Sequence, residues 1–157
     1  AYARSSESLE ETTLKLELNA WVNSIASDYQ DIGKNVHFHP CNTRLPIVTR
    51  PQALRRVMTN LLDNALKFGD SAVIEIDEDE RQVAIRIMDN GPGIPEAELE
   101  AVLQPFYRVE TSRNRETGGT GLGLAIAAQL TAQLDGKLHL ANRAEGGLAV
   151  SVTLPRV

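Results

Sequence analysis

The stretch "NLLDNALKF", residues 60 to 68, decides how this chain is read. Leu61, Leu62 and Leu66 recur with the spacing of a buried helix face. Asn60, Asn64 and Lys67 fall together on one stripe of that same helix. Asparagine is a poor interior helix residue, because its amide competes for backbone hydrogen bonds. Two amide oxygens and an ammonium on one stripe suit a hard cation and phosphate oxygens. Taken alone, the stripe reads more readily as the solvated edge of an amphipathic helix. Its neighbours in sequence decide between the two.

At 157 residues the chain is long enough for one domain with a proper core and too short for two comfortable ones. Its hydrophobic fraction of 42% and charged fraction of 24% are those of a soluble globular protein. No apolar run approaches the roughly 20 residues that span a bilayer, and the opening residues do not read as a signal peptide. A net charge of -5 argues against a nucleic-acid partner and leaves any phosphate-bearing ligand to local groups. The single cysteine, Cys41, rules out an internal disulfide and fits a reducing, cytosolic compartment.

The polar opening "AYARSSESLEETTLKLEL" begins as though in mid-helix and reads as the end of a longer element followed by a linker, residues 1 to 17. Leu18, Val22, Ile25 and Tyr29 then have helical period to about residue 31. "NVHFHP" and "LPIVT" read as short strands around the turn-rich "CNTR". Pro51 suits the first turn of the helix that carries the amide stripe, and Gly69 closes it. "AVIEID" and "QVAIRIMD" alternate around the charged turn "EDER" as a hairpin with one buried face. Pro95 opens a short helix through about residue 103, and residues 104 to 119 are a long polar loop. A helix over "GLGLAIAAQLTAQL" and a hairpin of "KLHLAN" with "LAVSVTLP" complete the chain. This order predicts an α/β fold: a two-layer sandwich, its mixed sheet covered by helices on one face.

Three further segments carry chemistry. "DNGPGIP", residues 89 to 95, opens with a strong hairpin-turn signal, yet Pro95 leads into a helix where a second strand would be needed. Gly91 and Gly93 then allow a flat ligand to approach the backbone, and Asp89 can accept from an exocyclic amine. "GGTGLGLAI" feeds a glycine-rich turn into a helix N-terminus, a ready anion site; flexible punctuation is the plainer alternative. It is neither a Walker loop nor a dinucleotide fingerprint. His37, His39 and Cys41 in "HFHPC" are metal-ligating types, but a plain edge strand is the default.

The asparagine-bearing helix, the Asp-x-Gly-x-Gly turn, "QPFYR" and "GTGLGL", in that order, resemble the ATP-binding catalytic domain of sensor histidine kinases. That domain shares the Bergerat fold with gyrase B, the ninety-kilodalton heat-shock chaperone and the mismatch-repair ATPases. The resemblance covers residues 18 to 155 and implies ATP and Mg²⁺ as cofactors, under a lid over residues 104 to 119 that orders on nucleotide. It implies that Asn64 ligates Mg²⁺, that Asn60 lines the same pocket, that Lys67 reaches phosphate oxygens and that Phe68 packs on adenine. Asp89 would fix base identity, with Gly91, Gly93 and Ile94 beside the base. Gly119, Thr120, Gly121, Leu122 and Gly123 would form the turn around the phosphates. "QPFYR" would anchor the lid, with Arg108 a candidate phosphate clamp; for Arg113 and Arg115 a merely solvated loop is as good a reading.

Hydrolysing members of the wider family carry a glutamate base four residues before the Mg²⁺-binding asparagine. Here that position is Asn60, so Asn60 and Lys67 are supporting residues and intrinsic hydrolysis is expected to be slow. None of His37, His39 or His139 has the context of the family's phosphoacceptor. "AYAR" resembles the end of the second helix of the family's dimerisation hairpin, which would bear that histidine. The implied partners are this hairpin and a response regulator. The implied parent is a homodimeric inner-membrane sensor with this domain in the cytoplasm, the isolated piece being monomeric. The alternatives are a serine-kinase/anti-sigma switch protein of the same fold and a nucleotide-dependent binding module.

Overall fold

The structure, a computed structural model, describes residues 11–99 and 122–156. The opening "AYAR", the lid segment with Arg108, and Gly119, Thr120 and Gly121 lie outside the described residues. The elements run β1 (Leu14–Glu17), α1 (Leu18–Asp31), β2 (Val36–His39), β3 (Pro46–Thr49), α2 (Pro51–Phe68), β4 (Ala72–Glu78) and β5 (Gln82–Asp89). A 3-10 turn (Glu96–Glu98), α3 (Leu122–Gln133), β6 (Lys137–Asn142) and β7 (Leu148–Pro155) follow.

Five strands form the main sheet in the order β2-β4-β5-β7-β6, with β2 parallel to β4 and every other pair antiparallel. Strict alternation gives it two unlike faces. Ile74, Ile76, Val83, Ile85, Ile87, Val150 and Val152 are buried in one core with Val22 and Ile25 of α1, Leu54, Met58 and Leu61 of α2, and Leu130 of α3. On the other face Arg86 lies opposite Glu75 and Ser151. Its guanidinium bridges Glu75 at 2.8 Å and Asp77 at 3.2 Å across a partly exposed surface. The expected sandwich with helices on one face is what the chain adopts.

Two expectations change. Leu14–Glu17, placed by the sequence in a linker, is a strand that pairs antiparallel with β3, Leu16 opposite Ile47. Its "LKLE" holds only two apolar residues, and what makes it a strand is a partner about thirty residues away, which no local pattern displays. The helix expected from Pro95 is a single 3-10 turn among the described residues.

β1 also ends in a cap. The Glu17 carboxylate accepts from the backbone N–H of Ala20 at 2.9 Å, Asn19 at 3.2 Å and Leu45 at 2.9 Å, closing the start of α1 and tying it to the β3 approach. Glu11 does the same at a distance. Its carboxylate accepts from Gln52 N–H at 2.8 Å and Ala53 N–H at 3.1 Å, while Arg50 Nε donates to its carbonyl at 3.0 Å. Pro51 at the first position of α2 has no N–H, so these two donors are the ones the helix must satisfy, and no local side chain caps it. Farther along, the Tyr29 hydroxyl donates to Asp63 at 2.7 Å, fastening α1 to α2 beside Asn64. Burial, and then that carboxylate, push the Tyr29 pKa up, so the hydroxyl stays a donor.

For Glu17, burial raises the carboxyl pKa, but the bonds from Leu45, Ala20 and Asn19 outweigh it and hold it below the ordinary glutamate value. A carboxyl depressed on folding stabilises above its unfolded pKa of about 4.3 and loses that contribution as pH falls through the folded value. Glu17→Ala is therefore expected to cost about 1–2 kcal/mol at pH 7, as lost caps do. In urea titrations the difference from wild type should shrink below about pH 4.

Candidate functional site

The end of the sheet where β5 stops and β7 starts brings together Phe68, Asp89, Gly91, Gly93 and Ile94 of the sequence-predicted residues. Asp89 is the last residue of β5, paired with Ala72 at the start of β4, and its side chain is 5% exposed. Burying a carboxyl group is costly unless its oxygens find donors. Oδ1 has two: Gly91 N–H at 2.9 Å and Leu148 N–H at 3.1 Å. With one oxygen doubly engaged by backbone, Oδ2 is left as the acceptor this group can offer a ligand.

The C-terminal end of α2 meets the same turn. A Cβ on Gly91 would come within 2.5 Å of the Phe68 carbonyl oxygen, and one on Gly69 within 2.7 Å of Asn90 Oδ1. Glycine is needed at both places for close approach, since neither has a left-handed backbone. Asn90 Oδ1 accepts from Asp70 N–H at 2.7 Å and Ser71 N–H at 3.2 Å, joining the α2–β4 connection to the turn. "DNG" is thus no hairpin turn; it is a junction between β5 and the end of α2. Gly93 differs, with φ of +77°, and Ile94 follows it.

Along α2, Asn60 and Asn64 border the buried stripe of Val57, Leu61 and Ala65, and both are half-buried. Neither side-chain amide has a hydrogen-bond partner among the described residues. Phe68, one turn beyond Asn64, is half-buried, and Lys67 is exposed. Leu122 opens α3, with Gly123 next to it, and α3 packs along α2. The structure therefore joins the Phe68 end of α2 to the Asp89 turn and lays α3 beside α2. Oxygen donors on α2 suit a hard cation. Among the described residues no group of three or more His, Cys, Asp or Glu forms a metal cage. Such a set fits Mg²⁺, which is held by one or two protein oxygens together with water and phosphate.

The histidine–cysteine idea does not survive. His37 and His39 stand exposed on the edge strand β2, whereas Cys41 lies beyond it. The Cys41 N–H donates to Asn19 Oδ1 at 2.9 Å, and its sulfur sits 3.6 Å from Thr43 Oγ1.

Sequence reasoning missed Asn142, Arg143 and Gly147, which hold the Asp89 turn from the β6–β7 side. Arg143 Nη1 donates to the Asp89 carbonyl at 2.8 Å. The Asn142 amide accepts from Ile94 N–H at 2.9 Å and donates to Ile94 carbonyl at 2.6 Å. No local signal marks them, because the partners of Asn142 and Arg143 lie 48 and 54 residues away in sequence and that of Gly147 is the same Asp89.

The family model of histidine kinase-, DNA gyrase B- and HSP90-like ATPases matches residues 49–157. The chain belongs to this family. It is 41% identical over 112 residues to the sensor histidine kinase GtrS of Pseudomonas aeruginosa, a match covering 71% of this chain and 23% of that protein. It is 33% identical over 148 residues to the sensor protein kinase WalK of Staphylococcus aureus, covering 89% of this chain and 35% of WalK. The chain thus spans no more than about a third of the length of these curated relatives. The ATP-binding domain of PrrB from Mycobacterium tuberculosis superposes with a TM-score of 0.75 at 27% identity, over 92% of this chain and 98% of that one. Full-length ShkA, solved with AMPPNP, shares the fold with a TM-score of 0.82 at 20% identity, over 99% of this chain and 34% of that one. The chain is a histidine-kinase-type ATPase domain, and no helix among its described residues is long and apolar enough to cross a membrane.

Gly146 and Gly147 both have positive φ, +102° and +100°, but only a Cβ on Gly147 would run into the Asp89 carbonyl. Left-handed strain costs an ordinary residue about 1–3 kcal/mol. In paired denaturation curves Gly147→Ala should cost at least about 1 kcal/mol more than Gly146→Ala, as expected when a tight contact is added to strain.

Proposed function

We propose that this domain binds Mg-ATP at the junction of α2, α3 and the Asp89 turn and presents the γ-phosphoryl group to a histidine carried outside this chain. The observation that carries the reading is Asp89: a buried carboxyl whose Oδ1 is engaged by two backbone N–H groups, leaving Oδ2 to accept from the exocyclic amine of adenine. Gly91 and Gly93, whose missing side chains make room for the Phe68 carbonyl and the Asn142 amide, would put their backbone beside the base, with Ile94 next to it and Phe68 packing on it. Asn64 would hold Mg²⁺, Asn60 one turn earlier would line the same pocket, and Lys67 would reach phosphate oxygens. When bound, the ion neutralises charge on those oxygens. Gly119, Thr120, Gly121, Leu122 and Gly123 are assigned to the phosphate turn at the start of α3, and Arg108 to a lid over residues 104 to 119.

The protein's part in this reaction is binding and orientation. An imidazole nitrogen attacks the γ-phosphorus in line as the bond to the β–γ bridging oxygen breaks, and ADP leaves. Residues 1 to 13, ahead of β1, are assigned to the end of a dimerisation hairpin and its linker, and a response regulator aspartate to the next acceptor. The parent is read as a homodimeric, membrane-anchored sensor with this domain in the cytoplasm. Asn60 separates the reading from a hydrolysing ATPase, since an amide cannot take a proton from water at neutral pH.

Two outcomes follow. With γ-labelled ATP and Mg²⁺, acid-labile, alkali-stable label should appear on the protein extended upstream through the hairpin and not on this chain alone. Label on neither protein would refute the transfer. Release of free phosphate by this chain should stay below about one turnover per second, the low end of the ordinary enzyme range. Faster turnover would make it an ATPase.

A further inference from the structure

The turn between β6 and β7 does more than connect two strands. Its own backbone closes on itself, Arg143 N–H donating to the Gly147 carbonyl at 2.9 Å and Gly146 N–H to the Arg143 carbonyl at 3.1 Å. From that rigid base it grips the segment from Asp89 to Ile94 at both ends. At one end Arg143 Nη1 binds the Asp89 carbonyl at 2.8 Å and Leu148 N–H binds Asp89 Oδ1 at 3.1 Å. At the other end the Asn142 amide takes both backbone groups of Ile94. Arg143 is itself steadied, its Nη2 lying 3.0 Å from Glu145 Oε2. Gly147 lets the turn lie flat on Asp89, where a side chain has no room.

We infer that Arg143 is a positioning residue for base recognition, with Asn142 as the second point of the same clamp. The inference rests on the reading that Asp89 accepts from the adenine amine. A carboxylate discriminates adenine from guanine only if its free oxygen is aimed at one place. There adenine offers an amine donor and guanine offers a carbonyl oxygen, which the carboxylate repels. Its aim is set by rotation of the Asp89 side chain and by the position of its backbone. Leu148 N–H and Gly91 N–H restrain the first, and Arg143 restrains the second. Sites built to pair with a particular polar group reject the analogue lacking it, but only while the pairing groups hold their places.

The test is the ratio of Mg-ATP to Mg-GTP affinity, measured by equilibrium titration on the 157-residue chain, with a circular dichroism melt to confirm folding of each variant. A merely structural role would weaken both nucleotides alike. Arg143→Ala is expected to weaken ATP about tenfold and leave GTP unchanged, the size expected for one charge-assisted hydrogen bond. Arg143→Lys should restore part of the ratio. Should the alanine variant fail to fold, Arg143→Gln is measured with the same two outcomes. An unchanged ratio, where Asp89→Asn abolishes the preference for ATP, would overturn the role of Arg143 alone. An Asp89→Asn variant that keeps the wild-type preference would overturn the base-reading role of Asp89, and the inference with it.

Discussion

One buried carboxyl group organises this end of the molecule. Asp89 terminates a central strand inside the core layer, where a polar group without partners would cost about 1–3 kcal/mol. The chain satisfies it with backbone donors from two directions, Gly91 and Leu148, and so ties the end of β5 to its own following turn and to the start of β7. Close approach then dictates composition. Gly69, Gly91 and Gly147 stand around the Asp89 turn because the Asn90 amide, the Phe68 carbonyl and the Asp89 carbonyl, respectively, occupy the space a Cβ would need.

Phe68 and Gly69 touch the Asp89 turn, so the C-terminal end of the helix that carries the α2 stripe is joined to the strand end that carries the buried carboxyl. Both asparagines border the buried stripe, half-buried and without partners among the described residues. On the proposed reading, an acceptor for a base and a set of oxygens for a cation with its phosphates are carried by one turn and the helix that abuts it. On that same reading, Asn60 suits a domain that positions ATP and leaves the nucleophile to a group outside it.

Much of this was legible in the sequence because it is local. The period of α2 from Leu54 to Ala65, the alternation in β4, β5 and β7, and the glycine turns each show within a dozen residues. What was not legible depends on partners far along the chain. β1 needs β3, and α2 has its N–H groups capped by Glu11, 41 residues before Gln52. The turn that holds Asp89 comes from Asn142 to Leu148, and "NRAEGG" by itself is only a hairpin connection. The edge strand taken as the default for "HFHPC" is what the chain forms. The spacing of its histidines is local and suggestive, yet the edge of the sheet leaves them apart from any third ligand among the described residues.

On the proposed function, the α2 stripe and the Asp89 turn take one nucleotide between them. Residue-resolved amide NMR on a titration with a non-hydrolysable Mg-ATP analogue tests it most directly. Residues 60–68, 89–94 and 142–148 should shift together and saturate at one concentration, with the exposed sheet face around Arg86 unmoved. Shifts confined to the helix, or to the turn, or centred on the Arg86 face, would contradict it.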